Sequence, residues 1–155
     1  MWRYFAVSAL IIVLDLWSKS VAVEVLSRGR ITLFSWFDFA LAYNTGAAFS
    51  FLSDAGGWQR WFFTAIAVLV SIFLVNWIRS LQKGQWILGL GLALVLGGAI
   101  GNVYDRLTLG YVVDFVSLHY DGYYWPAFNI ADSAITVGAI LLVWDMLVNG
   151  KEGNE

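Results

Sequence analysis

Four apolar runs dominate the chain: Tyr4 to Val21, Trp61 to Ile78, Trp86 to Tyr104 and Phe128 to Val148. A helix needs roughly 20 mostly apolar residues to cross about 30 Å of hydrocarbon, and each run comes close to that length. In a chain of 155 residues with 60% hydrophobic and only 13% charged side chains, such runs have no soluble core large enough to hide in. The expected fold is therefore an all-α membrane protein of four transmembrane helices, one integral domain over residues 1–155. Trp2, Trp58, Trp61, Trp77, Trp86 and Trp125 flank the runs, where amphipathic rings favour the headgroup level. The first run is interrupted by Asp15 and Lys19 and is followed by no small-x-small cleavage site, so it reads as a retained span and not a cleavable leader.

The connections differ in length. Arg79 to Gln85 is short and polar, which predicts an antiparallel helical hairpin of the second and third spans. The stretches 22–57 and 107–127 are long and aromatic, and Ile31 to Leu41 is rich in strand formers, which predicts a small β-rich region at the membrane surface. Arg3, Arg79, Lys83 and Lys151 outnumber Arg28, Arg30 and Arg60 on the other side. The positive-inside rule then assigns both termini and the short turn to the cytoplasm, and the long connections to the outer face.

Composition also removes chemistries. With no cysteine, neither thiolate nucleophiles nor disulfides are available. The single histidine, His119, falls short of the imidazole set of a zinc hydrolase, so no metal and no cofactor is expected. The net charge of -2, without a basic stripe, argues against nucleic acid as a partner.

The polar residues of the spans gather at one side. Asp15 and Lys19 lie towards the end of the first span, Asn102, Asp105 and Arg106 at the end of the third, and Asn129 and Asp132 at the start of the fourth. Antiparallel spans bring all those ends together, and Asn44 and Asp114 lie in the connections on the same side. Ionisable groups at membrane depth cost about 2.5 to 3.5 kcal/mol on insertion scales, so they face a bundle interior or a wet cavity. Asp15 and Lys19, four apart, can pair on one helix face, as a structural ion pair or as part of a site. Asn102 and Arg106 have the same spacing and could present an amide and a guanidinium together. Gly97, Gly98 and Gly101 make a small face that admits a neighbouring backbone.

Two hydrolytic mechanisms survive: a carboxylate pair, and a serine activated by Lys19. The serine would be Ser50, Ser53 or Ser133 brought across the fold, since Ser18 points about 100° away from Lys19 on a helix. A carboxylate pair needs one protonated and one ionised acid. Asp114, among Val112, Val113, Phe115 and Val116, suits the first, and Asp132, near a helix start, the second. A small four-span proton- or cation-coupled transporter is the alternative outside the enzymes, but its carboxylates belong near the midplane.

Five segments carry a resemblance. They are Asp15-Leu16-Trp17-Ser18-Lys19, Asn44-Thr45-Gly46-Ala47-Ala48-Phe49, Gly97-Gly98-Ala99-Ile100-Gly101-Asn102-Val103-Tyr104-Asp105-Arg106, Val112-Val113-Asp114-Phe115 and Phe128-Asn129-Ile130-Ala131-Asp132-Ser133. In this order they resemble the sequence boxes of the signal peptidase II family of membrane aspartyl proteases. The resemblance implies a metal-independent aspartyl endopeptidase of the bacterial cytoplasmic (inner) membrane. It would cut diacylglyceryl-modified prolipoproteins just before the lipidated cysteine, at the outer face. It places Asp114 and Asp132 on the catalytic positions. Asp15, Lys19, Asn44, Gly98, Asn102, Arg106 and Asn129 fall on positions that hold substrate or support the dyad. Implied partners are the lipidated substrates, membrane lipid and cyclic peptide inhibitors such as globomycin.

Overall fold

A computed structural model describes residues 1–46 and 57–149. Ser50, Ser53 and Lys151, with the Ala47-Ala48-Phe49 end of the second segment, lie outside the described residues. Among the described residues, four helices are long and apolar enough to cross a membrane: α1 (Trp2–Leu26), α2 (Trp58–Ser80), α3 (Trp86–Thr108) and α4 (Ile130–Asn149). A four-stranded antiparallel sheet joins them, β1 (Ile31–Phe34), β2 (Phe37–Asn44), β3 (Val112–Tyr120) and β4 (Tyr123–Tyr124), in the order β1-β2-β3-β4.

The helix bounds differ from the apolar runs. α1 runs on to Leu26 and α3 to Thr108, because the amphipathic turns beyond Val21 and Tyr104 continue to pack: Ala22 and Leu26 are buried with Phe115, and Asp105 is buried inside the site. α2 likewise covers Trp58–Ser80, beyond the Trp61 and Ile78 limits of its run at both ends. α4 starts at Ile130 and not at Phe128, whose backbone belongs to the sheet. The Phe128 carbonyl accepts the N–H groups of Phe115 (3.1 Å) and Val116 (2.9 Å), and its own N–H donates to the Val116 carbonyl (3.1 Å).

α3 is the most buried of the four helices and packs against all three others. Its glycines make this possible. A Cβ on Gly98 would run into the Ala131 carbonyl oxygen of α4, and one on Gly101 would come within 2.6 Å of Asp15 Oδ2 on α1. The apolar core of Tyr4, Leu74, Ile78, Leu92, Ala93 and Leu96 lies at the other end of the bundle from the polar residues. α2 leans on α3 and is pinned near its start by Arg60 Nη2, which donates to the Leu107 carbonyl at 3.0 Å.

The sheet caps the polar end of the helices, with β2 and β3 in contact with α1 and β3 with α3. Asp121 and Gly122, both at positive φ (47° and 82°), close the tight β3–β4 hairpin, as an Asp-Gly pair does readily. Beside it, buried Asp38 ties three strands. Its Oδ2 lies 3.0 Å from His119 Nε2 and 3.7 Å from Arg30 Nη1. A hydrogen bond from Thr32, aided by His119 and Arg30, holds its carboxyl below the usual range.

Candidate active site

Asp114 reaches the site on β3. The β2–β3 register sets Ala42 opposite Asp114, so Asn44, two residues further along β2, shares that face and donates from Nδ2 to Asp114 Oδ2 at 3.3 Å. Asp132 arrives from the first turn of α4. Asn129 immediately precedes that helix and caps it, its Oδ1 accepting the Asp132 N–H at 2.8 Å. The same side chain turns its amide to the other acid: Asn129 Nδ2 donates to Asp114 Oδ1 at 2.7 Å. One fully buried asparagine thus binds the carboxylate of one aspartate and the backbone of the other.

Asn102 of α3 completes the connection. Its Nδ2 donates to Asp132 Oδ1 at 2.8 Å, while its Oδ1 accepts Lys19 Nζ at 3.0 Å and Asn129 Nδ2 at 3.2 Å. Lys19 faces Asp15 Oδ2 at 2.7 Å and Asp105 Oδ2 at 3.0 Å. Its ammonium therefore sits among three oxygens, two of them carboxylate, all on buried residues. An ammonium so engaged is poorly placed to take a proton from a serine. Ser18 Oγ donates to the Asp15 carbonyl and Ser133 Oγ to the Asn129 carbonyl, so each hydroxyl is bonded to backbone.

Arg106 follows a different path from the one its spacing suggests. Asn102 turns into the buried network, whereas Arg106 Nη2 donates to the Gly46 carbonyl at 3.0 Å and the guanidinium sits 5.9 Å from the Phe63 ring centre. The two do not form a joint amide–guanidinium fork. Arg106 still contributes its positive charge to Asp132, Asp114 and Asp105.

All nine residues singled out in the sequence meet here: Asp114, Asp132, Asp15, Lys19, Asn44, Asn102, Arg106 and Asn129 by polar contacts, and Gly98 by admitting the α4 backbone at Ala131 beside Asp132. The two acids differ in setting. Asp114 is 2% exposed and Asp132 only half-buried. Burial pushes the Asp114 carboxyl up to about 7, the Asp132 charge acts in the same direction, and the Asn44 and Asn129 hydrogen bonds with the Lys19 charge pull it back.

In the sequence Asp105 stands among the polar residues at the end of the third span with no role of its own. Its carboxylate both pairs with Lys19 and accepts the Val113 N–H at 3.1 Å. The available signal was its i,i+3 spacing from Asn102, which sets both on the α3 face turned to Lys19. No group of three or more His, Cys, Asp or Glu arranged for a metal ion occurs among the described residues.

The family model described as signal peptidase (SPase) II matches residues 7–148. The chain belongs to the signal peptidase II family. Among its relatives, the lipoprotein signal peptidase of Alteromonas mediterranea is 51% identical over 99% of this chain and 85% of its own. That of Teredinibacter turnerae is 53% identical over 96% and 89%. A solved chain described as a bacterial membrane enzyme at 2.3 Å resolution superposes with a TM-score of 0.82 at 26% identity, covering 100% of this chain and 93% of that one. A second, at 1.9 Å, gives 0.80 at 28% identity over 96% and 94%. As a family member the chain is a multi-pass bacterial membrane protein.

Proposed function

We propose that this member of the signal peptidase II family is an aspartyl endopeptidase that removes lipoprotein signal peptides just before the lipidated cysteine, with Asp114 and Asp132 as its catalytic pair. The observation that carries the mechanism is the shared asparagine. Asn129 bonds the Asp114 carboxylate and the Asp132 backbone, so the two acids are held as one unit at one end of the bundle.

Asp114, with its carboxyl raised to about 7, holds the proton and donates a hydrogen bond to the scissile carbonyl. Asp132, nearer solvent and at the dipole-favoured start of α4, accepts a proton from the attacking water. Asn102 orients Asp132 by donating to one oxygen and leaves its other oxygen for the water. When the tetrahedral intermediate collapses, the proton taken up by Asp132 passes to the leaving amine. Arg106 holds the Gly46 backbone near the site and adds positive charge as negative charge develops.

A lipid-modified substrate diffuses laterally in the bilayer, and a site at the end of four spans meets the end of its signal helix without a soluble path. The long connections and the dyad then face outward, with both termini in the cytoplasm. A cyclic peptide inhibitor such as globomycin would compete for the same place. The transporter alternative receives no support from the family, and the acids lie at one end of the spans rather than midway.

The test is cleavage itself. Purified protein in detergent or lipid receives a diacylglyceryl-modified prolipoprotein and its unlipidated form, and the products are mapped by mass spectrometry. A single cut before the lipidated cysteine is expected, with the unlipidated form intact. No cut at that bond overturns the assignment.

A further inference from the structure

We propose that Lys19, Asp15 and Asp105 form a clamp that fixes the spacing between the backbones carrying Asp114 and Asp132, which makes Asp105 a positioning residue for peptide cleavage. The proposal rests on the dyad reading above. Lys19 Nζ lies 2.7 Å from Asp15 Oδ2 and 3.0 Å from Asp105 Oδ2. Each of those acids also grips a backbone N–H. Asp15 Oδ1 accepts that of Ala131 at 2.9 Å, and Asp105 Oδ2 accepts that of Val113 at 3.1 Å. Ala131 and Val113 are the residues immediately before Asp132 and Asp114.

One ammonium on α1 thus joins two carboxylates, and each carboxylate holds the chain one residue ahead of a dyad member. β3 and α4 are separate elements whose backbones already meet where Phe128, two residues before α4, pairs with Phe115 and Val116. Asn129 adds bonds to the Asp114 carboxylate at 2.7 Å, to the Val113 carbonyl at 3.3 Å and to the Asp132 N–H at 2.8 Å. The clamp adds a hold from α1 and α3 on the Ala131 and Val113 N–H groups, which those ties do not reach. Asp15, Lys19 and Asp105 are 0%, 3% and 3% exposed, so water does not loosen these contacts. Burying three charges merely to join helices is a poor use of them, because apolar side chains of similar size do that as well or better. The use that apolar groups cannot replace is the directional grip on two N–H donors. Reacting groups tolerate little misplacement, with about 1 Å costing about 100-fold in rate.

The charged groups facing the clamp and dyad among the described residues are Lys19 and Asp15 from α1, Asp105 and Arg106 from α3, Asp114 from β3 and Asp132 from α4. Two carboxylates that share one proton give a bell-shaped profile of kcat/KM against pH, and their mutual repulsion separates its two limbs. Moving the backbones apart weakens that repulsion and narrows the separation. Removing a nearby negative charge without movement instead shifts both limbs together towards lower pH.

Asp105→Ala and Asp105→Asn distinguish the two. The Asn oxygen can take the place of Asp105 Oδ2 and keep both the Val113 and the Lys19 contacts, whereas Ala keeps neither. In the folded full-length protein, cleaving a lipidated prolipoprotein peptide, Asp105→Ala should lower kcat about 100-fold with KM within about threefold, and narrow the separation of the limbs. Asp105→Asn should restore most of kcat and the wild-type separation, with both limbs displaced together. Should Asp105→Ala fail to fold, Asp105→Ser, whose hydroxyl is too short for both contacts, is read the same way.

Wild-type kcat and limb separation in the folded Ala or Ser variant would overturn the clamp, as would equal losses in Ala and Asn. Those results leave the dyad standing as long as Asp114→Asn and Asp132→Asn are inactive and the wild-type profile is bell-shaped. A wild-type profile without two limbs, or an active dyad variant, overturns the dyad reading itself.

Discussion

At the scale of the residue, the cost of Asp114 gives a stability prediction separate from activity. A free aspartate titrates at about 3.9, whereas burial pushes the Asp114 carboxyl up to about 7. Between those values the folded state holds a proton that the unfolded state has lost. The stabilisation is therefore fully present below about pH 4 and is lost as pH rises through about 7, with an upper bound near about 4 kcal/mol. Asp114→Asn removes the titration, so its thermal midpoint should gain on the wild type between about pH 5 and pH 8. A difference that stays constant over that range would contradict the buried, proton-holding role. Lys19 makes a second case. Its spacing from Asp15 predicts a two-member pair, but the fold adds Asp105, which comes to Lys19 only through the packing of α3 on α1. Lys19→Met leaves two buried carboxylates without their cation and should cost about 3–5 kcal/mol, whereas Asp15→Asn leaves a matched Lys19–Asp105 pair and should cost less. Chemical denaturation in mixed micelles measures both, and equal losses would argue that Asp105 adds nothing. Helix spacing made the Asp15–Lys19 contact legible, while the partners of Asn102 and Arg106 were not. Asn102 and Arg106 diverge because one faces the α1–α4 interior and the other the start of α2, which no spacing rule encodes.

At the scale of the element, the four helices were legible because hydropathy over 20 residues is a strong signal, and their ends were not, because ends depend on what packs there. Phe128 illustrates this. It continues the apolar run of α4, yet its backbone is needed to pair with Val116, and that pairing puts Asn129 next to Asp114. The β-prone composition of Ile31 to Leu41 pointed to a sheet, but register was out of reach, and register is what brings Asn44 to Asp114. The glycine face of α3 carries a prediction at this scale. Because a Gly98 Cβ would collide with the Ala131 carbonyl, Gly98→Ala must push α4 outward beside Asp132. It should destabilise the fold by about 1–3 kcal/mol and depress cleavage more than that loss of folded protein explains. Melting curves and initial rates on the same preparation test this, and unchanged rates would show that the contact has slack.

At the scale of the whole molecule, four spans carry their buried charges at one end, which suits a protease that takes its substrate from within the membrane and cuts at the surface. Sidedness follows from this reading. A cysteine placed at Tyr123, in the β3–β4 hairpin, should react with a membrane-impermeant reagent in intact cells (spheroplasts for an outer-membrane envelope), and one at Gln82, in the α2–α3 turn, should not. The reverse pattern would put the site on the cytoplasmic face. The central claim is that Asp114 and Asp132 perform the cleavage together, and single-turnover measurement on Asp114→Asn and Asp132→Asn tests it most directly. Each variant, purified folded and mixed in excess with lipidated prolipoprotein, should bind substrate normally yet cleave at least about 10,000-fold more slowly than the wild type, because an amide can neither hold nor accept the shared proton. Cleavage by either variant within about tenfold of the wild-type rate would remove that aspartate from the reaction and contradict the mechanism.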